Sequence, residues 1–136
     1  MNATRKRFSL RAVCAFLALA GCLLLAGCGA AVPDGMTEDE VKSAAENTIE
    51  LLEAEDYTAL LDTMTEDMAA LGEEAWREAW QPVHEQLGAL DEVKSHTLAA
   101  KDGYAVDVAV AAYENGKLTF TLSYDGAYRL AGLYMK

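Results

Sequence analysis

Between Thr37 and Leu87 the apolar residues recur every three or four positions, and after Gly88 they recur every second one. The first spacing is that of helices with one buried face, the second that of strands with one buried face. Val41, Ala45, Thr48, Ile49 and Leu52 define a first helix, with Lys42, Glu46, Glu50 and Glu53 turned away. Thr37-Glu38-Asp39-Glu40 in front of it has the form of a capping box, and its acids suit the positive end of the helix dipole. Asp56-Tyr57 restarts the chain into a second helix carrying Leu60, Leu61, Met64 and Met68, with a break expected near Thr65 and an end at Gly72. A third helix, from Glu73 to a stop at Gly88, sets Trp76, Trp80, Val83 and Leu87 on one stripe. Pro82 lies inside it without an amide hydrogen and crowds the carbonyl of residue 78, which predicts a kink or two pieces.

Beyond Gly88 a weak strand over Glu92–Ala100 precedes three alternating runs: Tyr104-Val106-Val108-Val110, Leu118-Phe120-Leu122-Tyr124, and Tyr128-Leu130 with Tyr134. Asp102-Gly103, Asn115-Gly116 and Asp125-Gly126 separate them, pairs that favour the tight turns of hairpins. Helices first and a meander afterwards predict an α+β fold, with N-terminal helices packed on a curved four-stranded antiparallel sheet. The register depends on the loop at Asn115-Gly116. A three-residue loop, Glu114-Asn115-Gly116, places Val106, Val108 and Val110 on the face of Leu118, Phe120, Leu122 and Tyr124. One residue of slip sends them to the other face, against Thr119 and Thr121. Gathering the apolar residues favours the first register, which leaves Asp107 solvated and puts Ala105, Ala109 and Ala111 outside.

Charge divides the chain at one point. Residues 1–27 hold Arg5, Lys6, Arg7 and Arg11 and no acid; the rest holds 7 bases against 22 acids, a formal charge of −15. The first segment has the three parts of a secretory signal: a basic start, an apolar run from Ala12 to Leu25, and small residues before a cleavage point. Leu25-Ala26-Gly27-Cys28 resembles the bacterial lipobox, which implies diacylglyceryl and acyl (palmitate-type) chains on Cys28 after cleavage before it. Two or more chains, at about 0.8 kcal/mol per buried methylene, anchor stably. An uncleaved transmembrane helix is the rival, since Ala12–Val32 is uncharged and about 20 apolar residues cross a bilayer. The lipobox is the more specific signal. The expected organisation is thus a signal peptide at 1–27, a lipidated tether at 28–36 and one domain at 37–136, held to the extracytoplasmic face of the cell membrane.

Cys14 and Cys22 leave with the signal and Cys28 is used by lipid, so the domain is expected to lack a disulfide, a Cys-bound metal and a Cys nucleophile. A body at −15 is repelled by phosphate backbones, which excludes nucleic acid as a partner.

Several loose motifs occur in a definite order: Asp56-Tyr57, Leu61-x-x-Met64 with Met68, Trp80-x-Pro82, Leu87-Gly88-Ala89, Tyr113-Glu114-Asn115-Gly116, Leu118-Thr119-Phe120 and Leu130-x-Gly132-Leu133-Tyr134. Together they resemble the domain of unknown function 3887 family of bacterial lipoproteins. The resemblance implies a nuclear transport factor 2-like, or cystatin-like, arrangement with a sheet curved around helices and often a pocket between them.

Candidate chemistry is sparse. His84 and His96 are the only histidines, and both read as surface residues; an acid–base pair of His96 with Asp107 is the catalytic alternative. Tyr57, Trp76, Trp80, Phe120, Tyr124 and Tyr128 could line a ligand pocket or fill the core. No calcium loop, phosphate loop, G-x-S-x-G or H-E-x-x-H occurs, so neither cofactor nor metal is expected, and the sequence weighs against an enzyme. The expected function is a lipid-anchored module binding a small ligand or a protein partner. The alternatives are an isomerase- or dehydratase-type enzyme and a structural module that forms a homodimer through the outer sheet face.

Overall fold

A computed structural model describes residues 31–136; the signal segment, the lipobox and Cys28 lie outside the described residues. Helix α1 runs over Glu38–Glu53 and buries Val41, Ala45, Thr48, Ile49 and Leu52, the stripe set by its spacing. Half of the capping box forms: Thr37 Oγ1 accepts from the Glu40 amide at 3.3 Å and donates to Glu40 Oε2 at 2.8 Å, while the Thr37 amide donates to the Tyr128 hydroxyl rather than to Glu40. Val32 and Met36 pack with the core, so the folded part begins before Thr37. Asp56 caps α2 (Tyr57–Asp62), and the chain breaks before α3 (Glu66–Ala69), as expected near Thr65. Helix α4 spans Gly72–Leu87 as one element with Pro82 inside it, rather than two pieces. Its N-terminus comes one residue before the expected Glu73, and it ends at Gly88.

Strands β1 (Leu90–Lys101), β2 (Tyr104–Tyr113), β3 (Gly116–Tyr124) and β4 (Leu130–Met135) form an antiparallel meander in chain order. The helices pack on one face of it, which establishes the α+β class. Lys101 pairs with Tyr104 across a two-residue Asp102-Gly103 turn with φ of 53° and 83°. Tyr128 belongs to the five-residue loop after β3 rather than to β4. There Asp125 Oδ1 accepts from the amides of Ala127 and Arg129 at 3.0 and 2.9 Å.

The β2–β3 register corrects the expectation. Tyr113 pairs with Gly116, so the loop is Glu114-Asn115, and Asp107 lies opposite Leu122. Ala105, Asp107, Ala109 and Ala111 therefore face the helices with Leu118, Phe120, Leu122 and Tyr124, while Val106, Val108 and Val110 face outward. Two causes are visible. The loop amides of Glu114 and Asn115 donate to the carbonyls of Ala89 and Leu87, each at 3.0 Å, so the end of α4 fixes the loop. The alanines also leave room for large side chains of the helical layer, and close packing rewards that pairing of small with large. Trp80, Ile49 and Leu52 are fully buried there.

The sheet edges differ. At β4 the Leu130 amide donates to Thr63 O at 2.9 Å and its carbonyl accepts from the Thr65 amide at 3.0 Å, so the α2–α3 link covers that edge. The β1 ladder instead carries irregularities at Leu90/Glu92 and Val93/Ser95, which twist an edge away from stray pairing.

Candidate functional site

Polar groups enter the helix–sheet interface at three places. The first is centred on Asp107, whose side chain is fully buried. Its Oδ2 lies 2.6 Å from His96 Nδ1, on the neighbouring strand, and its Oδ1 has no hydrogen-bond partner among the described residues. Burial pushes the carboxyl above its ordinary value, while the His96 contact and the more distant Lys42 pull it down. The His96 side chain is 13% exposed, and its Nε2 lies 3.4 Å from Glu46 Oε1 on α1. His96 thus stands between a buried and a solvated carboxylate. A neutral imidazole whose Nδ1–H is held by Asp107 presents Nε2 as a base, but Glu46 occupies the approach to it.

Next to this pair, Tyr124 hydroxyl and Thr48 Oγ1 share a hydrogen bond of 2.8 Å, and Thr48 also donates to Ala44 O at 3.0 Å. Burial raises the Tyr124 phenol far above its usual range, with the Asp107 charge adding to the rise. At the third place Tyr113 donates to Glu53 Oε1 at 2.6 Å, and His84 Nδ1 lies 3.4 Å from Glu53 Oε2. The Tyr113 phenol is likewise driven up, by burial and by that carboxylate.

The aromatic candidates divide five to one. Tyr57, Trp76, Trp80, Phe120 and Tyr124 belong to the packed core, where Trp80 and Phe120 ring centroids are 6.1 Å apart. Tyr128 sits at its margin, donating to Glu40 Oε2 at 2.5 Å and accepting from the Thr37 amide at 3.0 Å. That contact, with the Thr37 hydroxyl, holds Glu40 below the usual carboxylate range. Of the six, Trp76 borders an open groove of about 220 Å³, with Leu71, Ala75, Ala79, Leu133 and Met135. Among the described residues no cluster of His, Cys, Asp or Glu could hold a metal ion, and no helix is long and apolar enough to cross a membrane.

Sequence reasoning placed Asp107 and His96 apart, in solvent; the structure joins them, because both alternate inward in the observed register. Sequence reasoning gave the outer sheet face Ala105, Ala109 and Ala111, which the structure buries. That face carries Ser95, Thr97 and Ala99 on β1, Val106, Val108 and Val110 on β2, Thr119, Thr121 and Ser123 on β3, and Gly132 and Tyr134 on β4. None of these is charged. Lys101, Lys117 and Lys136 stand at the rim, and the outward acid Glu92 is paired with Lys94 at 2.9 Å. The contrast with the helical part is large: residues 34–89 hold 16 acids and 2 bases, residues 90–136 hold 6 acids and 5 bases. Of the three exposed large apolar side chains among the described residues, Tyr104 and Tyr134 are on this face. A groove of about 350 Å³ opens on it between Tyr104, Val106, Ser123 and Gly132, with Lys101 and Asp102 at one end.

Fold and site together define a small α+β domain with a packed core, a buried acid–histidine pair and a sheet face that is uncharged and uncovered among the described residues. The chain belongs to the family described as Protein of unknown function (DUF3887), whose model matches residues 45–133. It is also similar to the NMR structure of a protein from Ruminococcus gnavus ATCC 29149. The identity is 27%, the match covers 76% of this chain and 95% of that one, and the TM-score is 0.64. The comparison with curated proteins gives no match.

Proposed function

We propose that this chain is a lipid-anchored extracytoplasmic domain that binds a protein partner through the outer face of its sheet. The observation that carries the reading is the outward row Val106, Val108, Val110, Thr119 and Thr121, uncharged and half-buried in a molecule that is otherwise strongly acidic. A flat surface of β-branched side chains loses little side-chain entropy when covered, and contiguous apolar area on a soluble face marks interaction surfaces. A protein surface suits it better than a small ligand, because five of the six aromatic side chains that could hold a ligand are packed in the core. The lipobox motif ending at Cys28 supports the anchor, which keeps the domain and its partner on one surface.

The test uses the full chain, gently solubilised from its own membranes. The expected native species is larger than a monomer, and Val108→Glu or Thr121→Glu reduces it to monomer size, while Glu50→Lys on the exposed side of α1 leaves it intact. Cys28→Ala moves the protein from the membrane to the soluble fraction. A native species unmoved by both outer-face charges removes the docking surface; a Cys28→Ala protein still retained by the membrane removes the anchor.

A further inference from the structure

We infer that the partner on the outer sheet face is a second copy of this chain, stacked with β4 antiparallel on β4. The inference rests on the docking surface proposed above and adds what covers it. Charge decides where two copies can meet. The helical residues 34–89 carry a formal −14, so contact through helices sets acid against acid, whereas the outer face offers no unpaired acid among its strand positions.

Shape then selects the arrangement. Among the described residues Tyr134 is the most exposed large apolar side chain, at 64%, and it projects from the same face as Gly132, two residues back on β4. Gly132 has no side chain, and the groove of about 350 Å³ opens beside it. A two-fold axis lying in the interface, perpendicular to β4 and passing over residue 133, sets each Tyr134 above the other copy's Gly132. The knob of one copy enters the groove of its mate, twice.

The rest of the face follows from the strand register. Thr121 is level with Tyr134 and Ser123 with Gly132, so under the same axis Thr121 stacks on Ser123. Val108 is level with Thr121 and Val106 with Ser123, so Val108 stacks on Val106 and, one step out, Val110 stacks on Tyr104. On β1, Thr97 stacks on Ala99 and Lys101 meets Ser95. The levels nearest the axis pair apolar or hydroxyl groups, Lys101 meets the Ser95 hydroxyl, and no charge faces its like. The natural twist of each sheet rotates the two by about 30°, which keeps the pairs near the axis closest. Such self-complementarity is what a closed two-fold contact requires.

The experiment places a photo-reactive p-benzoylphenylalanine at position 134 of the full chain (Tyr134→p-benzoylphenylalanine) in intact cells. The expected product is a covalent pair of two copies, with the cross-link in the peptide that holds Gly132. Gly132→Val fills the groove; an added Cβ there meets Ser123 Cβ at 3.6 Å, ordinary contact, so the monomer keeps its fold. With that variant the yield of the pair is expected to fall about tenfold or more, as for truncation of a central interface contact. A cross-link to a different protein alone overturns the second copy and leaves the docking face standing. No cross-link at all overturns both. A pair formed equally well by Gly132→Val overturns the knob-and-groove arrangement.

Discussion

Burial sets the chemistry of Asp107. Its carboxyl titrates higher in the folded chain than its ordinary 3.8, because desolvation outweighs the pull of His96. The folded state therefore binds more proton than the unfolded one as pH rises from about 4, and the stability this group contributes is lost through that window. Asp107→Asn keeps the shape and removes the titration. Urea unfolding from pH 4 to pH 7 is expected to show the native protein losing stability relative to Asp107→Asn. The difference in slope is bounded by the one-proton value of about 1.4 kcal/mol per pH unit. Parallel pH profiles would contradict a desolvated carboxyl. Neither this residue nor His96 could be placed from sequence, since their side chains change faces with a single-residue shift of the β2–β3 loop.

Among the elements, the end of α4 controls most. Gly88 stops the helix at φ 77° and ψ −152°, a conformation open to glycine, and the β2–β3 loop then docks on the freed carbonyls of Leu87 and Ala89. A Cβ at Gly88 would lie 2.6 Å from Glu114 Oε2, the atom that accepts from the Ala89 amide. Gly88→Ala is expected to lower the unfolding free energy by about 1–3 kcal/mol, read from urea denaturation. An unchanged midpoint would mean that the loop, and the register with it, is fixed elsewhere. The two long helices were legible because each carries its own 3.6-residue stripe and a terminal signal, Thr37 before α1 and Gly88 after α4, and Thr65 marked a real break. The register was not, because it depends on hydrogen bonds between residues 87–89 and 114–115, which no local pattern encodes. Pro82 misled for a related reason: its place on the exposed side of α4 lets the helix continue past it.

At the scale of the whole molecule, the same alternation that hides Asp107 turns the valines outward. Hydrophobic gathering alone assigned Val106, Val108 and Val110 to the core and Ala105, Ala109 and Ala111 to the surface; packing against Trp80 and the α1 stripe reversed both. The result is a domain with acids on its helical part and an uncharged sheet face rimmed by Lys101, Lys117 and Lys136. Five of the six aromatic candidates lie at the helical and strand spacings of a core and are found in it, whereas Tyr128 lies in the loop after β3 at its margin.

Cysteine accessibility in intact membranes tests the docking face most directly, since the described residues contain no cysteine of their own. Thr121→Cys and Val106→Cys on the outer face are to be labelled with a membrane-impermeant maleimide beside Glu50→Cys on the exposed side of α1. The two sheet positions are expected to be protected in the membrane and to react once detergent dilution separates the partners, with position 50 reactive throughout. Equal labelling of all three positions in the undisturbed membrane would contradict it.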